Sequence, residues 1–174
     1  MRTLLRVVSG TTTALLISLA LCTADASAAS GDPAELPRWR WPLTGVRAVV
    51  EPFRAPAHEY GAGHRGVDLA SSIDAPVTAP ADGTVAFRGT VVDRPLLTIQ
   101  HADGLVSTFE PLRTTLDPGD AVSAGQEIGF VDLGGHSAAG ALHLGVRRHG
   151  SYINPMLLFG SVPRAILLPC CDSL

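Results

Sequence analysis

The sequence contains no lysine; all 13 of its cationic side chains other than histidine are arginine. A carrier domain charged with biotin or lipoate is thereby excluded, because such a domain needs a lysine to modify, although the turn-rich stretch from Val122 to Val131 would otherwise suit one. The arginines are scattered and the formal net charge is -3, so no basic patch exists to neutralise phosphates and a nucleic-acid partner is disfavoured. Long apolar runs are missing too. The main apolar stretch, Ala14 to Leu21, is interrupted by Ser18 and falls well short of the roughly 20 residues that cross a bilayer. Stable membrane insertion is therefore not expected. Beyond residue 28 no stretch repeats apolar positions at helical spacing for three turns, which argues against a helical domain.

What is present begins with a leader. Met1-Arg2 and Arg6 make a basic start, the apolar stretch follows, and Ala26-Ser27-Ala28 fits a small-residue cleavage site, so residues 1–28 read as a secretory signal peptide. Leu19-Ala20-Leu21-Cys22 resembles a lipoprotein site, but Leu21 is a poor residue before a lipidated cysteine. Cleavage removes Arg2, Arg6 and Asp25, taking the net charge from -3 to -4, and leaves Cys170 and Cys171 as the only cysteines of the exported chain. Export permits disulfides, yet neighbouring cysteines pair only in a strained ring, and an intermolecular bond or free thiols are equally open. Residues 29–40 are small, polar and proline-containing and read as a linker. Trp39 and Trp41, with Pro42 and Leu43, pin the start of a domain over 41–159; packing is favoured over stacking on sugar rings. Residues 160–174 are left as a tail, and a monomer is expected.

Short apolar runs separated by Gly, Pro and Asp recur every eight to twelve residues from Val46 onward. They are Val46 to Val50, Gly83 to Phe87, Leu96 to Ile99, Leu105 to Phe109, Ile128 to Val131 and Leu142 to Val146, broken by turns at Ala81-Asp-Gly83, Ala102-Asp-Gly104 and Asp117-Pro-Gly-Asp120. This predicts an all-β domain of short antiparallel strands.

Two fragments carry candidate chemistry. The first, Gly61-Ala-Gly-His64-Arg-Gly-Val-Asp68, holds an imidazole and a carboxylate four residues apart. In an extended strand those side chains would share a face about 13 Å apart, too far for one ion, and Gly66 with β-branched Val67 argues against a helix. A bend or bulge at Gly66 is the better reading, and glycine there leaves the backbone bare where a ligand must approach. A surface loop with a chance His and Asp is the alternative on this fragment alone. The second fragment, Ala141-Leu-His143-Leu-Gly-Val-Arg147, alternates with period two, so it reads as a strand whose His143 points away from its Leu/Val face. Two imidazoles and one carboxylate are a set that holds a catalytic zinc with a fourth position open to water.

At this point the chain resembles the lysostaphin-type (LytM-like) zinc metallopeptidases of peptidoglycan, with an early His-x-Gly-x-Asp and a late His-x-His pattern. The resemblance runs from about Trp41 to about Leu158 and includes HRGVDLA at 64–70, APADGTV at 79–85, DPGDAVSAGQEIG at 117–129 and LHLGVR at 142–147. It implies a compact antiparallel two-sheet barrel-sandwich (a duplicated hybrid motif) with a metal-binding groove, and it implies His64, Asp68 and His143 as ligands of Zn2+. It also implies a secreted, cell-wall-associated hydrolase with peptidoglycan as its partner. Two departures stand against it. Ala141 occupies the first His of His-x-His, and Pro111, in Thr108-Phe-Glu-Pro-Leu112, occupies the position of a second active-site His.

With both proton-handling histidines replaced, two readings stay open: a zinc metalloendopeptidase that uses another base, and a degenerate domain that binds cell wall or regulates another hydrolase. Glu110 and His136 are the candidate bases. Glu110 precedes a proline and so projects from an extended strand end; with Phe109 facing the core, alternation puts Glu110 on the opposite face. His136 lies in Gly134-Gly-His-Ser137, leading into the His143 strand. His101, beside the turn at Ala102-Asp-Gly104, is expected to brace that hairpin, and His58 and His149 to be solvent-exposed. N-terminal sequencing of the extracellular protein should begin at Ala29; full-length protein retained in the membrane, or lipid on Cys22, would contradict the export reading.

Overall fold

A computed structural model of the chain describes residues 36–58, 60–135 and 140–160. Its strands are β1 (Val49–Glu51), β2 (Gly66–Ala70), β3 (Pro76–Thr78), β4 (Gly83–Val91), β5 (Arg94–Gln100), β6 (Leu105–Glu110), β7 (Leu112–Arg113), β8 (Ala121–Val122), β9 (Glu127–Val131), β10 (Ala141–Arg148) and β11 (Ser151–Ile153), followed by a 3-10 turn at Pro155–Leu157. No α-helix occurs among the described residues, in keeping with the absent helical periodicity.

The strands form two antiparallel sheets, as expected. One runs in the order β1-β2-β10-β6-β5-β4-β8, with β11 pairing to β10 as well, and the other in the order β3-β9-β7. Alternation decides which residues fill the space between them. Leu142, Leu144 and Val146 of β10, Val67 and Leu69 of β2, Leu97 and Ile99 of β5 and Phe109 of β6 point inward from the large sheet; Val77, Ile128 and Val131 point inward from the small one, and all belong to one buried cluster. The opposite face of β10, β6 and β5 carries His143, Glu110 and Thr98 and is therefore the face that can hold a site. Asp103 and Gly104, with φ of 56° and 66°, make the tight reversal between β5 and β6 that the Asp-Gly pair announced.

The start and end of the fold close on each other through Trp39. Its backbone N–H donates to the Leu158 carbonyl at 2.8 Å, and its ring packs against Phe159 and, with centroids 4.7 Å apart, against His101. Packing, not exposure to sugar, is what this tryptophan does, and it reaches back into the stretch read as linker. His101 braces more than its own hairpin. Nδ1 donates to the Asp82 carbonyl at 2.8 Å, so in the neutral ring Nε2 accepts from the Ser107 hydroxyl at 2.7 Å. Burial disfavours the imidazolium and lowers the pKa of His101 below the ordinary histidine value; the Asp82 and Ala81 backbone contacts oppose that shift.

A histidine with a lowered folded-state pKa contributes stability that is complete above its unfolded value, near about 6.5, and that is lost as pH falls through the folded value. The melting temperature is expected to fall between about pH 7.5 and about pH 5.5, and to fall less over the same range in His101→Gln. Equal slopes in circular-dichroism melts of the two proteins would show that His101 does not supply this dependence.

Candidate metal centre

Register builds the site before any ligand chemistry is considered. In the β2–β10 pairing His143 lies opposite Asp68, and in the β10–β6 pairing it lies opposite Glu110. Because Leu142 and Leu144, Val67 and Leu69, and Phe109 all face the core, these three polar side chains form one row across three strands on the outer face. The next row is bare or small: Gly66, Gly145 and Thr108, with Thr98 paired beyond Thr108.

His64 joins the row from outside β2. The chain bends at Arg65, and reciprocal backbone hydrogen bonds between His64 and Arg54, at 2.9 and 3.0 Å, hold the incoming segment. The ring thereby brings Nε2 to 3.1 Å from Asp68 Oδ1, closing the distance that an extended chain would leave. The bend thus falls at Arg65, one residue before the glycine expected to make it. Gly66 has a steric role instead. A Cβ there would lie 2.5 Å from Nε2 of His143 and closer still to the Leu144 carbonyl oxygen, so glycine is required by close approach and not by its φ.

His64 Nε2, His143 Nδ1 and Asp68 Oδ1 form a triangle with sides of 3.1, 3.1 and 2.8 Å, and all three residues are buried. His64 Nδ1 sits 2.9 Å from the Pro52 carbonyl oxygen, which can only accept, so Nδ1 carries the proton. In the neutral ring, Nε2 then turns a lone pair toward a carboxylate oxygen. That contact is unfavourable between the two groups alone and favourable around a cation. Ligand atoms bonded at about 2.0–2.2 Å to a tetrahedral ion stand about 3.3–3.6 Å apart, a few tenths of an ångström wider than the sides observed, so a small outward shift of the three side chains lets the donor set fit zinc. The Pro52 carbonyl is the kind of outer partner that fixes the tautomer of a ligating histidine.

The triangle opens on a groove of about 410 Å³ whose walls include Arg65, Phe87, Arg94, Thr98, Glu110 and Arg147. Glu110 is buried, and its Oε1 accepts from Arg94 Nη1 across a long 3.4 Å. A bulge between Val85 and Phe87 sets Phe87 opposite Thr98, so that Val85 faces the core and Phe87 the groove. Ala141 is buried opposite Ala70, two residues from His143 on the same strand face, and offers only a methyl group there. His136, the other candidate base, lies outside the described residues. His58 and His149 are exposed. Sequence reasoning missed Arg94, Arg147 and Tyr152 as groove residues; only Arg147, in step with His143 at period two, carried a readable signal.

An all-β groove with a His/Asp/His triangle defines a candidate metal-binding domain, and comparison with known proteins supplies the family. Residues 62–155, more than half of the chain, match peptidase family M23, and the chain belongs to that family. It is 37% identical over 132 residues to an uncharacterized protein of Mycobacterium tuberculosis, Rv2891, a match covering 72% of this chain and 53% of that protein. It is 33% identical over 121 residues to the murein hydrolase activator NlpD of Escherichia coli, covering 68% of this chain and 30% of NlpD. The chain thus spans about half the length of the mycobacterial relative and about a third of NlpD. Among solved structures, a zinc-containing peptidase from Vibrio cholerae shares the fold, with a TM-score of 0.60 and 23% identity over 71% of this chain and 40% of that one.

Gly66→Ala is expected to destabilise the fold by about 1–3 kcal/mol through overpacking against His143 and the β10 backbone. Denaturant titration measures this; a cost near zero would mean that the His143 ring is not held where the triangle requires it.

Proposed function

We propose that the protein is an exported zinc metalloendopeptidase that hydrolyses peptide bonds in the stems or cross-bridges of peptidoglycan. The observation that carries this reading is the triangle of His64, Asp68 and His143, whose three converging ligand atoms beside a groove support a cation site. Membership of family M23 supports the reaction class, and the relative named as a murein hydrolase activator supports the cell wall as the setting.

His64, Asp68 and His143 would hold the zinc, which when bound would supply Lewis acidity toward a carbonyl and lower the pKa of water to about 7. The chain's own residues do the rest. Glu110 stands one strand from His143 in the same row, and its carboxylate takes a proton from the attacking water and returns it to the amine nitrogen as the C–N bond breaks. Arg94 orients that carboxylate from β5. Gly145 leaves the groove floor beside the row without a side chain, which lets an extended peptide backbone lie close to it.

A second reading is favoured by specific residues: Ala141 and Pro111 stand where the family resemblance expects imidazoles, and NlpD is named as an activator. On that reading the groove binds cell wall or a partner hydrolase and cuts nothing.

Two variants separate the readings. His143→Ala should lose the stoichiometric zinc measured by elemental analysis of the secreted protein. Glu110→Gln should keep that zinc while peptidoglycan-peptide cleavage drops at least about 100-fold. Unchanged cleavage in Glu110→Gln would remove Glu110 as the base, and a zinc-replete parent without cleavage would establish the binding reading.

A further inference from the structure

The far end of the groove is cationic, although the chain as a whole carries a formal charge of -3. Among the described residues its lining includes Arg65, Arg94 and Arg147 and one carboxylate, Glu110, which accepts from Arg94. Arg65 and Arg147 flank a single aromatic ring: their guanidinium carbons lie 5.9 and 5.7 Å from the centre of Tyr152, which also lines the groove. Arg65 donates to the Gly61 carbonyl at 3.0 Å, which anchors it. Among the described residues no carboxylate pairs with Arg147 at salt-bridge distance. Two cations held beside one ring repel each other, and an anion between them relieves that repulsion while a guanidinium fork matches a carboxylate in two hydrogen bonds.

Position distinguishes this wall from the metal row. Arg147 lies four residues beyond His143 on the same face of β10, about 13 Å along an extended strand. It is therefore too remote to act on the reacting atoms and is placed to hold a part of the ligand two or more residues away. Gly145, between them on that face, reinforces the point. Its φ is ordinary and an added Cβ would meet only ordinary contacts, 3.6 Å from the Arg65 carbonyl oxygen and 3.7 Å from His143 Nε2, so nothing within the fold demands glycine. The bare residue leaves an open track from the metal row to the arginines. The opposite wall, by contrast, is apolar at Phe87, Val91 and Leu96.

We propose that Arg147, Tyr152 and Arg65 form a carboxylate-binding subsite, so that the ligand of the groove is a peptide carrying a free carboxylate about two to four residues from the bond at the metal row. This deepens the reading under Proposed function and rests on it for the identity of the peptide as a peptidoglycan fragment. The bound carboxylate accepts from the guanidinium N–H groups, and no covalent step occurs at the subsite.

The test uses the full exported chain loaded with zinc and two synthetic stem peptides that differ only in a free or amidated side-chain carboxylate. Calorimetric affinity and cleavage are measured separately. The free acid should bind about 10-fold more tightly than the amide, and Arg147→Gln should abolish that difference. Arg147→Lys, which keeps the charge but loses the fork, should restore part of it, and melting temperatures verify that all variants fold. Equal affinity for acid and amide in the parent overturns the subsite, whatever happens to cleavage. A preserved difference in a folded Arg147→Gln overturns it equally. Discrimination by binding without cleavage upholds the subsite and overturns the hydrolase reading; cleavage without discrimination does the reverse.

Discussion

With the neutral His64 ring donating from Nδ1 to Pro52, a lone pair on Nε2 faces a carboxylate oxygen of Asp68 at 3.1 Å, with His143 Nδ1 closing the triangle, in a place largely shielded from water. Such an arrangement does not assemble itself, because buried polar groups that repel cost free energy unless a cation or a proton reconciles them. Something else must impose it. The imposition comes from the other face of the same strands, where Val67, Leu69, Leu142, Leu144 and Phe109 are almost wholly buried. A slip of one residue in either pairing of β10 would turn those apolar side chains outward and scatter the row. The hydrophobic face therefore fixes the register, and the register fixes the ligands. What remains is local: Pro52 sets the tautomer of His64, the backbone bonds to Arg54 set its position, and Gly66 makes room for the ring of His143.

The parts of this arrangement that follow from alternation were legible in the sequence. His143 and Arg147 share a face by counting along one strand, and Glu110 falls opposite Phe109 by the same rule. The Asp103-Gly104 reversal was legible because only a few residue types tolerate consecutive positive φ. What depends on a backbone atom or on a change of period was not. The Pro52 carbonyl contacts His64 across twelve residues, yet any residue has a carbonyl, so position 52 carries no mark of its role. Val85 and Phe87 read as neighbours on one face until the bulge between them sends Phe87 to the other. The bend at Arg65 was assigned to Gly66, because glycine signals both flexibility and absence of bulk and only the second applies there. Strands as short as β7 and β8, with two residues each, leave no periodicity to detect.

Ala141 and Pro111 bear on how the groove would move a proton. An alanine two residues from His143 offers no base but leaves the triangle in place, since Ala141 lies opposite Ala70 and the pairing of β10 with β2 continues unbroken. The row itself contains a carboxylate at Glu110, opposite His143 in the β10–β6 pairing. A glutamate beside a metal serves as general base in metallopeptidases of unrelated sequence. On the proposed reading, the His64, Asp68 and His143 triangle and the Glu110 carboxylate together would supply a cation site and a base in one row.

Charge adds a constraint independent of that chemistry. At physiological ionic strength fields are screened over about 8 Å, so a ligand inside the groove senses the arginines that line it and little of the acidic balance of the whole chain. Arg147 and the metal row are separated by more than that length along β10, about 13 Å. On the proposed reading the two ends of the groove act on a ligand almost separately, one through the His64, Asp68 and His143 triangle and the other through the guanidinium groups beside Tyr152. An extended ligand satisfies both only if it places a polarisable carbonyl at one end and an anion at the other, which restricts its length and its chemistry together.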